Sequence, residues 1–272
     1  MKRKPIVAGS FYPGITSVLA NDIDHYLSNV QTLKKHNDIL GITVPHAGYF
    51  YSGQCAAYGF KAIQHKDFEV AVIIAPSHRY GHFRFSAGNF ESYLTPLGEV
   101  EVDQQMVEKL LTYDDFQFIP AAHNSEHSLE VQLPFLQVVK PSARIVPILV
   151  GNQTFENSER LANILQQEFA DRLDKTIFII STDLSHYYEG RIAEKMDSIF
   201  AANLAGLNIQ RLEKELENHK CEACGMGGVL TLMHLAEKLN YGKAEILNYT
   251  HSGKTTGDDS QVVGYLSALV YK

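Results

Sequence analysis

Three apolar runs, rich in β-branched residues, each end on a histidine, and they occupy residues 42–46, 70–78 and 177–186. Short runs of this kind, bounded by turn residues, predict buried strands of a parallel sheet. In open α/β sheets, ligands bind beyond the carboxyl ends of the strands, and neighbouring strands lie only about 4.8 Å apart. A single histidine at a strand end is commonly a packing residue, but His46, His78 and His186 share one structural position. The pattern therefore predicts a common site at one edge of a sheet.

The chain as a whole alternates between strand-like and helix-like segments. Strands are predicted at 39–45, 69–75, 144–150, 176–181, 244–250 and 262–271, and helices at 15–31, 52–64, 103–112, 128–139, 155–171, 190–205, 208–218 and 226–239. Residues 83–101 predict a small antiparallel excursion, and the last two strands are expected to pair antiparallel around the loop at 251–260. No repeat or linker interrupts the pattern. We therefore expect one α/β domain over residues 1–272, a three-layer α/β/α fold with a central mixed, mostly parallel sheet.

Composition excludes several classes of protein. The 272 residues carry a formal net charge of −7, and without a basic stripe the chain is not expected to bind nucleic acid. The basic residues at 1–4 are expected to be solvated. No apolar stretch reaches the roughly 18 residues of a membrane-spanning helix, and no apolar segment follows the basic start, so no membrane association and no signal peptide are expected. Three cysteines do not form a disulfide framework, which favours a cytoplasmic protein.

Small and polar residues follow the predicted strands. After His46, Gly48 lets the backbone turn closely past whatever the imidazole holds, and Ser52 is expected to cap the next helix. Asp183 lies three residues before His186. A carboxylate there orients a histidine ring and raises its basicity, or it caps the following helix. The sequence leaves both interpretations open.

Cys224 precedes a glycine-containing turn and an apolar helix. The dipole at a helix N-terminus favours the thiolate, which is a metal ligand or a nucleophile. The glycines fit neither the Walker nor the dinucleotide spacing, so a phosphate cradle is disfavoured. Cys221 and Cys224 form a single CxxC pair, which argues against a zinc ribbon and leaves a thioredoxin-like disulfide as an alternative. We expect a ligand at Cys224 and a free thiol at Cys221.

Residues 123–127 match the H-x-x-E-H spacing of inverted zinc peptidases. That motif works only where both histidines share one face of a helix. Pro120 precedes the segment, and the residues between the histidines favour a turn. We therefore expect His123 and His127 to be loop residues that line the pocket, with the peptidase as the alternative.

In combination, these motifs resemble the Memo family, whose bacterial and archaeal members are called AmmeMemoRadiSam system protein B. The resemblance spans nearly the whole chain and rests on Gly9-Ser10-Phe11-Tyr12, Pro45-His46-Ala47-Gly48-Tyr49, Pro76-Ser77-His78, Glu126-His127-Ser128-Leu129-Glu130, Ser181-Thr182-Asp183-Leu184-Ser185-His186, Cys224-Gly225 and Gly264-Tyr265. It implies a fold like that of class III extradiol dioxygenases. The family name also implies radical-SAM and AMMECR-type partner proteins.

The resemblance further implies a metal held by His46, His78 and Cys224, where the cysteine replaces the carboxylate of the dioxygenases. It places Asp183 and His186 at the same pocket, with His186 in the position of the acid/base histidine. It also matches pocket-lining positions at Phe11, Tyr12 and Tyr51. Fe(II) is the expected ion, and the softness of the thiolate makes Cu or Zn the alternatives.

Two functional hypotheses follow. The first is metal-dependent redox chemistry of the dioxygenase type on an unknown small-molecule or peptide substrate, with His186 moving protons. The second is a non-catalytic module that retains the pocket and binds a peptide or protein. Zinc hydrolysis is disfavoured because it needs a general base beside the bound water, and the only glutamate of a motif, Glu126, lies in a loop segment.

Overall fold

Strands and helices alternate along the chain in the computed structural model, which describes residues 1–272. The strands are β1 (Lys2–Arg3), β2 (Ile39–Val44), β3 (Val70–Pro76), β4 (Phe85–Ala87), β5 (Ser92–Thr95), β6 (Gly98–Glu101), β7 (Phe116–Gln117), β8 (Arg144–Val150), β9 (Thr176–Ser181), β10 (His186–Tyr188), β11 (Lys243–His251) and β12 (Val262–Tyr271). The helices are α1 (Thr16–Ser28), α2 (Tyr49–Ile63), α3 (Gln104–Leu110), α4 (Pro120–Ser125), α5 (Leu133–Val139), α6 (Phe155–Phe169), α7 (Gly190–Ala205), α8 (Ile209–Glu217), α9 (Met226–Lys238) and α10 (Ser252–Thr256). Short 3₁₀ turns occupy Glu130–Gln132 and Ala170–Lys175.

A mixed sheet of nine strands forms the centre of the molecule. Its order is β10-β12-β2-β9-β3-β8-β4-β7, and β11 pairs with β12. The strands β2, β9, β3 and β8 are mutually parallel, whereas β12 and β4 join them antiparallel at either side. Because β9 lies between β2 and β3, the strands that precede His46, His186 and His78 are direct neighbours. The expectation that the three histidines share one structural position is wrong for His186, which lies five residues beyond β9 and begins β10.

Helices cover both faces of this sheet. Gly59 of α2 packs against Val44 and Ile42 of β2. Gly41 of β2 faces the opposite side of the sheet and packs against Leu232 of α9. The helices α1 and α5 pack with α2 on the first face, and α6 packs with α9 on the second. Burial on both faces explains why these parallel strands are continuously apolar. The three-layer α/β/α fold with a mixed sheet is confirmed.

Most predicted elements lie within about one turn of their expected bounds. The exception is the helix at 128–139, which is a 3₁₀ turn followed by α5. The helix α2 begins at Tyr49 with Gly48 at its N-cap, so the cap expected at Ser52 is wrong, and the Ser52 hydroxyl donates to the carbonyl of Ala47 instead. The last two strands pair antiparallel, as predicted. None of the helices is long and apolar enough to span a membrane.

The basic N-terminus is exposed at Met1, Lys2 and Lys4, as expected, but Arg3 is buried. The strand β1 pairs with β5, which pairs antiparallel with β6, so the second half of the predicted excursion and the N-terminus form a second, three-stranded sheet. The first part of the excursion, β4, joins the central sheet instead. The side chain of Arg3 is 1% exposed and forms an ion pair with Glu130, which is 0% exposed. A charge run in sequence indicates solvent exposure only where no buried partner exists, and Arg3 has one that lies 127 residues away.

Candidate metal centre

The carboxyl ends of β2 and β3 and the start of α9 bring three metal-ligand side chains together. His46 and His78 each lie two residues beyond their strand, and Cys224 lies directly before Gly225, the N-cap of α9. One potential ligand atom from each of the three lies within 4.8 Å of the others. His46 Nε2 is 3.2 Å from Cys224 Sγ, and the two imidazole centroids are 5.2 Å apart. The predicted convergence of these three residues is therefore present.

Asp183 fixes two of these residues through backbone contacts. Its Oδ1 accepts the His46 N–H at 2.8 Å, and its own N–H donates to Cys224 Sγ at 3.2 Å. The Cys224 N–H in turn donates to the Asp183 carbonyl at 3.1 Å. Burial raises the pKa of Asp183 above its ordinary value. The carboxylate thus supports the ligand loop and does not cap the next helix.

Glu126 orients His78. Its Oε2 accepts the His78 N–H at 2.6 Å, its Oε1 lies 2.9 Å from His78 Nδ1, and the same oxygen lies 3.2 Å from His127 Nδ1. Burial works against ionisation here, but the hydrogen bonds from His127 and His78 outweigh it and hold the pKa of Glu126 far below its usual range. Burial likewise acts to lower the pKa of His78, and the bond to Glu126 raises it overall. Because Nδ1 of His78 is hydrogen-bonded to Glu126, Nε2 is the ring nitrogen that is available to a metal ion.

The thiol of Cys224 does not behave as its position in sequence suggests. Burial, reinforced by the negative charge of Asp183, raises the pKa of Cys224 well above that of a free cysteine. In the protein without a metal ion, desolvation thus opposes the stabilisation of the thiolate that is expected at a helix N-terminus. Cys55, Cys221 and Cys224 are all free, so the alternative of a CxxC disulfide is absent.

A cavity of about 450 Å³ lies next to this group. None of the three donors lines it, but its wall includes Asp183, which contacts His46 and Cys224, and His127, whose ring lies 5.0 Å from that of His78. Phe11, Tyr51 and His186 also line it, together with Ala47, Gly48 and Tyr265 of the sequence motifs and with Tyr187, Ser252 and Val263, which the sequence did not single out. The His186 side chain is 31% exposed. Its backbone N–H donates to Glu222 at 2.7 Å, which anchors the residue at the cavity wall.

Tyr12 and His123 do not line this cavity, which corrects the expectation for both. The Tyr12 hydroxyl donates to Glu130 at 2.6 Å, inside the core. His123 is buried between Tyr93 and Ser86, which its ring nitrogens contact at 2.9 and 3.1 Å. Burial lowers the pKa of His123 to about 3, so it is a neutral packing residue.

The H-x-x-E-H segment is not one helix. The helix α4 ends at Ser125, so His123 and His127 do not share a helical face and the inverted peptidase arrangement does not form. His127 instead faces the site, where its ring lies 4.8 Å from that of Phe11 and 5.5 Å from that of His46.

Residues 126–132 form hydrogen bonds to the ends of all three strands. The Ser128 hydroxyl donates to the carbonyl of Pro76, the last residue of β3, and the Gln132 amide donates to the Pro45 carbonyl directly after β2. The hydroxyl of Ser181, the last residue of β9, donates to the Ser128 carbonyl. Sequence analysis missed the roles of Glu126, Ser128 and Gln132. The available signal was a cluster of polar residues at the start of an otherwise apolar helix.

Gly225 lies where a larger residue cannot fit. A Cβ there would approach the Ser181 carbonyl oxygen to 2.3 Å and the Thr182 Cβ to 2.7 Å. We expect Gly225→Ala to lower the free energy of unfolding by about 1–3 kcal/mol, measured by urea denaturation, because backbone must shift. Gly242→Ala is the control, since its Cβ would meet nothing within 4 Å. Equal stability of the two variants would contradict the tight packing of the Cys224 turn.

Comparison with known proteins gives matches over the whole chain. The family described as "Memo-like protein" matches residues 3–269. The "MEMO1 family protein" of Methanobrevibacter smithii is 34% identical over 281 aligned residues, covering 99% of each chain, and that of Thermotoga sp. (strain RQ2) is 37% identical over 288, covering 100% of each. Among solved structures, that titled "Crystal structure of uncharacterized protein JW3007 from Escherichia coli K12" aligns with a TM-score of 0.44 at 10% identity, over 84% of this chain and 99% of the other. The sequence matches include all the strand ends that carry the site.

Proposed function

This chain belongs to the Memo family, and we propose that His46, His78 and Cys224 bind a redox-active metal ion beside a cavity in which an unknown small-molecule or peptide substrate is oxidised. The observation that carries the proposal is the approach of the three donor atoms to within 4.8 Å of one another, next to Asp183 and His127, which line that cavity.

The donor set fits a transition-metal ion. Imidazole and thiolate together suit iron, copper and zinc better than magnesium or calcium. His46 and His78 each have Nδ1 engaged by the protein, at 2.8 Å from Ser181 and 2.9 Å from Glu126, which leaves Nε2 as the donor. Three protein ligands leave coordination positions free, whereas a fourth would produce the closed geometry of structural zinc sites. The neighbouring cavity, which Asp183 and His127 line, is the space available for a substrate beside those positions.

The residues of the cavity transfer protons and bind the substrate, whereas the metal ion supplies electron transfer or charge. Fe(II), our first choice, or Cu supplies reversible one-electron chemistry when bound, whereas Zn(II) supplies charge alone. The imidazole of His186 accepts a proton from a substrate hydroxyl and returns it, a role that histidine performs well near neutral pH. Glu222 holds the backbone of His186, and Phe11 and Tyr51 supply aromatic surface to the cavity wall.

Replacing His186 with alanine is expected to lower turnover roughly 10²- to 10⁴-fold while leaving the bound metal in place, because the residue moves protons and is not a ligand. Protein purified without oxygen is loaded separately with Fe(II), Cu(I) or Zn(II) and supplied with catechols and model peptides, and oxygen uptake and bound metal are measured. His82→Ala is the control, since His82 is exposed and outside the cavity. Loss of metal in His186→Ala with its retention in His46→Ala would reverse the assigned roles.

A second candidate function is non-catalytic binding of a peptide or protein. Exposed aromatic side chains at the cavity favour it, since Tyr187 is 70% and Tyr51 41% exposed, and Tyr51 contacts the exposed ring of Phe50. Aromatic residues of this kind are enriched in protein interfaces. No oxygen uptake with any metal, combined with peptide binding that is lost in Tyr51→Ala, would establish this function over the first.

A further inference from the structure

The structure assigns Ser181 and Gln132 as the positioning residues that hold His46 in one tautomer, with the proton on Nδ1 and the Nε2 lone pair directed at the metal-binding position. The assignment of the tautomer stands on hydrogen-bond geometry alone. Its consequence for metal affinity rests on the proposed function of the three-donor site.

The Ser181 hydroxyl has three partners, which together use all of its hydrogen-bonding capacity. Its Oγ lies 2.7 Å from the Ser128 carbonyl oxygen, 2.9 Å from Gln132 Nε2 and 2.8 Å from His46 Nδ1. A hydroxyl has one proton to donate and two lone pairs to accept. The Ser128 carbonyl can only accept, so it must receive the single proton of Ser181.

Gln132 takes up one of the two lone pairs. Its Nε2 also donates to the Pro45 carbonyl at 3.0 Å and lies 3.4 Å from the Ser128 carbonyl. Rotating the amide by half a turn would place its oxygen against two carbonyl oxygens, so only the donating orientation is compatible with this environment. Ser181 therefore accepts from Gln132 and has one lone pair left.

His46 must then donate to that remaining lone pair. Its Nδ1 consequently carries a proton, and in the neutral ring its Nε2, 3.2 Å from Cys224 Sγ, is therefore unprotonated. The ring is 2% exposed, so bulk water does not offer a competing partner. At His78 the carboxylate of Glu126 performs the same task, whereas at His46 an uncharged serine–glutamine pair performs it.

Nuclear magnetic resonance of the metal-free protein tests the tautomer directly. In protein labelled with ¹⁵N-histidine, long-range ¹H–¹⁵N correlations distinguish a protonated from an unprotonated ring nitrogen, and the His46→Gln spectrum identifies the His46 signals. We expect wild-type His46 to be protonated at Nδ1, and Ser181→Ala to contain a substantial population protonated at Nε2. Ser181→Thr, which keeps the hydroxyl, should restore the wild-type pattern.

Ser86→Ala is the matched control, since it removes a serine–histidine contact of 3.1 Å at buried His123, away from the site. In titrations with Zn(II) alone, measured by competition with a chromophoric chelator, Ser181→Ala should weaken binding roughly 10- to 100-fold, as loss of a partner of a ligand typically does, and Ser86→Ala should not.

Wild-type His46 protonated at Nε2, or a Ser181→Ala variant with an unchanged tautomer, would overturn the assignment. The expected tautomer shift without any Zn(II) binding by the wild type would leave the assignment intact and refute the proposed metal site. If Ser181→Ala does not fold, the wild-type tautomer and the Ser181→Thr variant still decide the question.

Discussion

Replacing Cys224 with serine is expected to weaken Zn(II) binding a few hundred-fold. Structural zinc sites with four protein ligands bind with about 10–16 kcal/mol, so one ligand of such a set contributes roughly 3–4 kcal/mol. A serine hydroxyl does not replace a thiolate for a borderline-soft ion. The same substitution should abolish the thiolate-to-metal charge-transfer absorption of the Co(II)-loaded protein. Affinity is measured by competition with a chelator, and the charge-transfer band by absorption spectroscopy.

Cys55 provides the matched control for this experiment. It is a buried free thiol on α2, and its contacts, at 3.9 Å, are with the Asn248 carbonyl and the Ser267 hydroxyl, away from the site. Cys55→Ser should therefore retain both the affinity and the charge-transfer band. Retention of the band in Cys224→Ser, or its loss in Cys55→Ser, would show that Cys224 is not the sulfur ligand.

The second large effect concerns the buried ion pair between Arg3 and Glu130. Removing one partner of such a pair leaves an uncompensated buried charge, which typically costs about 3–5 kcal/mol. Glu130 also accepts from the backbone N–H groups of Ile6 and Val7 and from the Tyr12 hydroxyl, so Glu130→Ala leaves further donors without partners. We expect a loss of stability at the upper end of that range, measured by urea denaturation.

The exposed ion pair between Lys2, the neighbour of Arg3, and Glu99 provides the matched comparison. Lys2 and Glu99 lie 2.6 Å apart with side chains 42% and 46% exposed. Pairs of this kind are largely screened by water, so Glu99→Ala should leave the free energy of unfolding nearly unchanged. The double variant Arg3→Met, Glu130→Met should recover part of the loss, because two apolar side chains leave no unpaired charge. Similar losses in Glu130→Ala and Glu99→Ala would contradict the buried ion pair.

The fold and the proximity of His46 to His78 follow from local patterns in the sequence. The apolar runs before His46 and His78 indicate buried parallel strands, and the carboxyl ends of such strands meet at one edge of a sheet. The link to Cys224, on a different element, depended on the resemblance to a family. Neither periodicity nor spacing shows that a cysteine before α9 reaches a histidine after β2.

The supporting polar residues could not be predicted in the same way. Gln132 has the sequence context of a solvent-facing helical position, yet it is buried against Ser181. Arg3 has the context of a basic terminus, yet it pairs with Glu130. The burial of a polar side chain depends on a partner distant in the chain, and no local pattern encodes that partner. His123 was misplaced for the same reason, since its burial depends on Tyr93 and Ser86.

X-ray absorption spectroscopy at the metal edge of the Zn(II)-loaded protein tests the central claim, that His46, His78 and Cys224 together bind one metal ion. The account predicts one sulfur scatterer at about 2.3 Å and two imidazole nitrogens at about 2.0–2.1 Å, with the remaining positions filled by lighter atoms from solvent. A first coordination shell without sulfur, or one with two or more sulfur atoms, would contradict it.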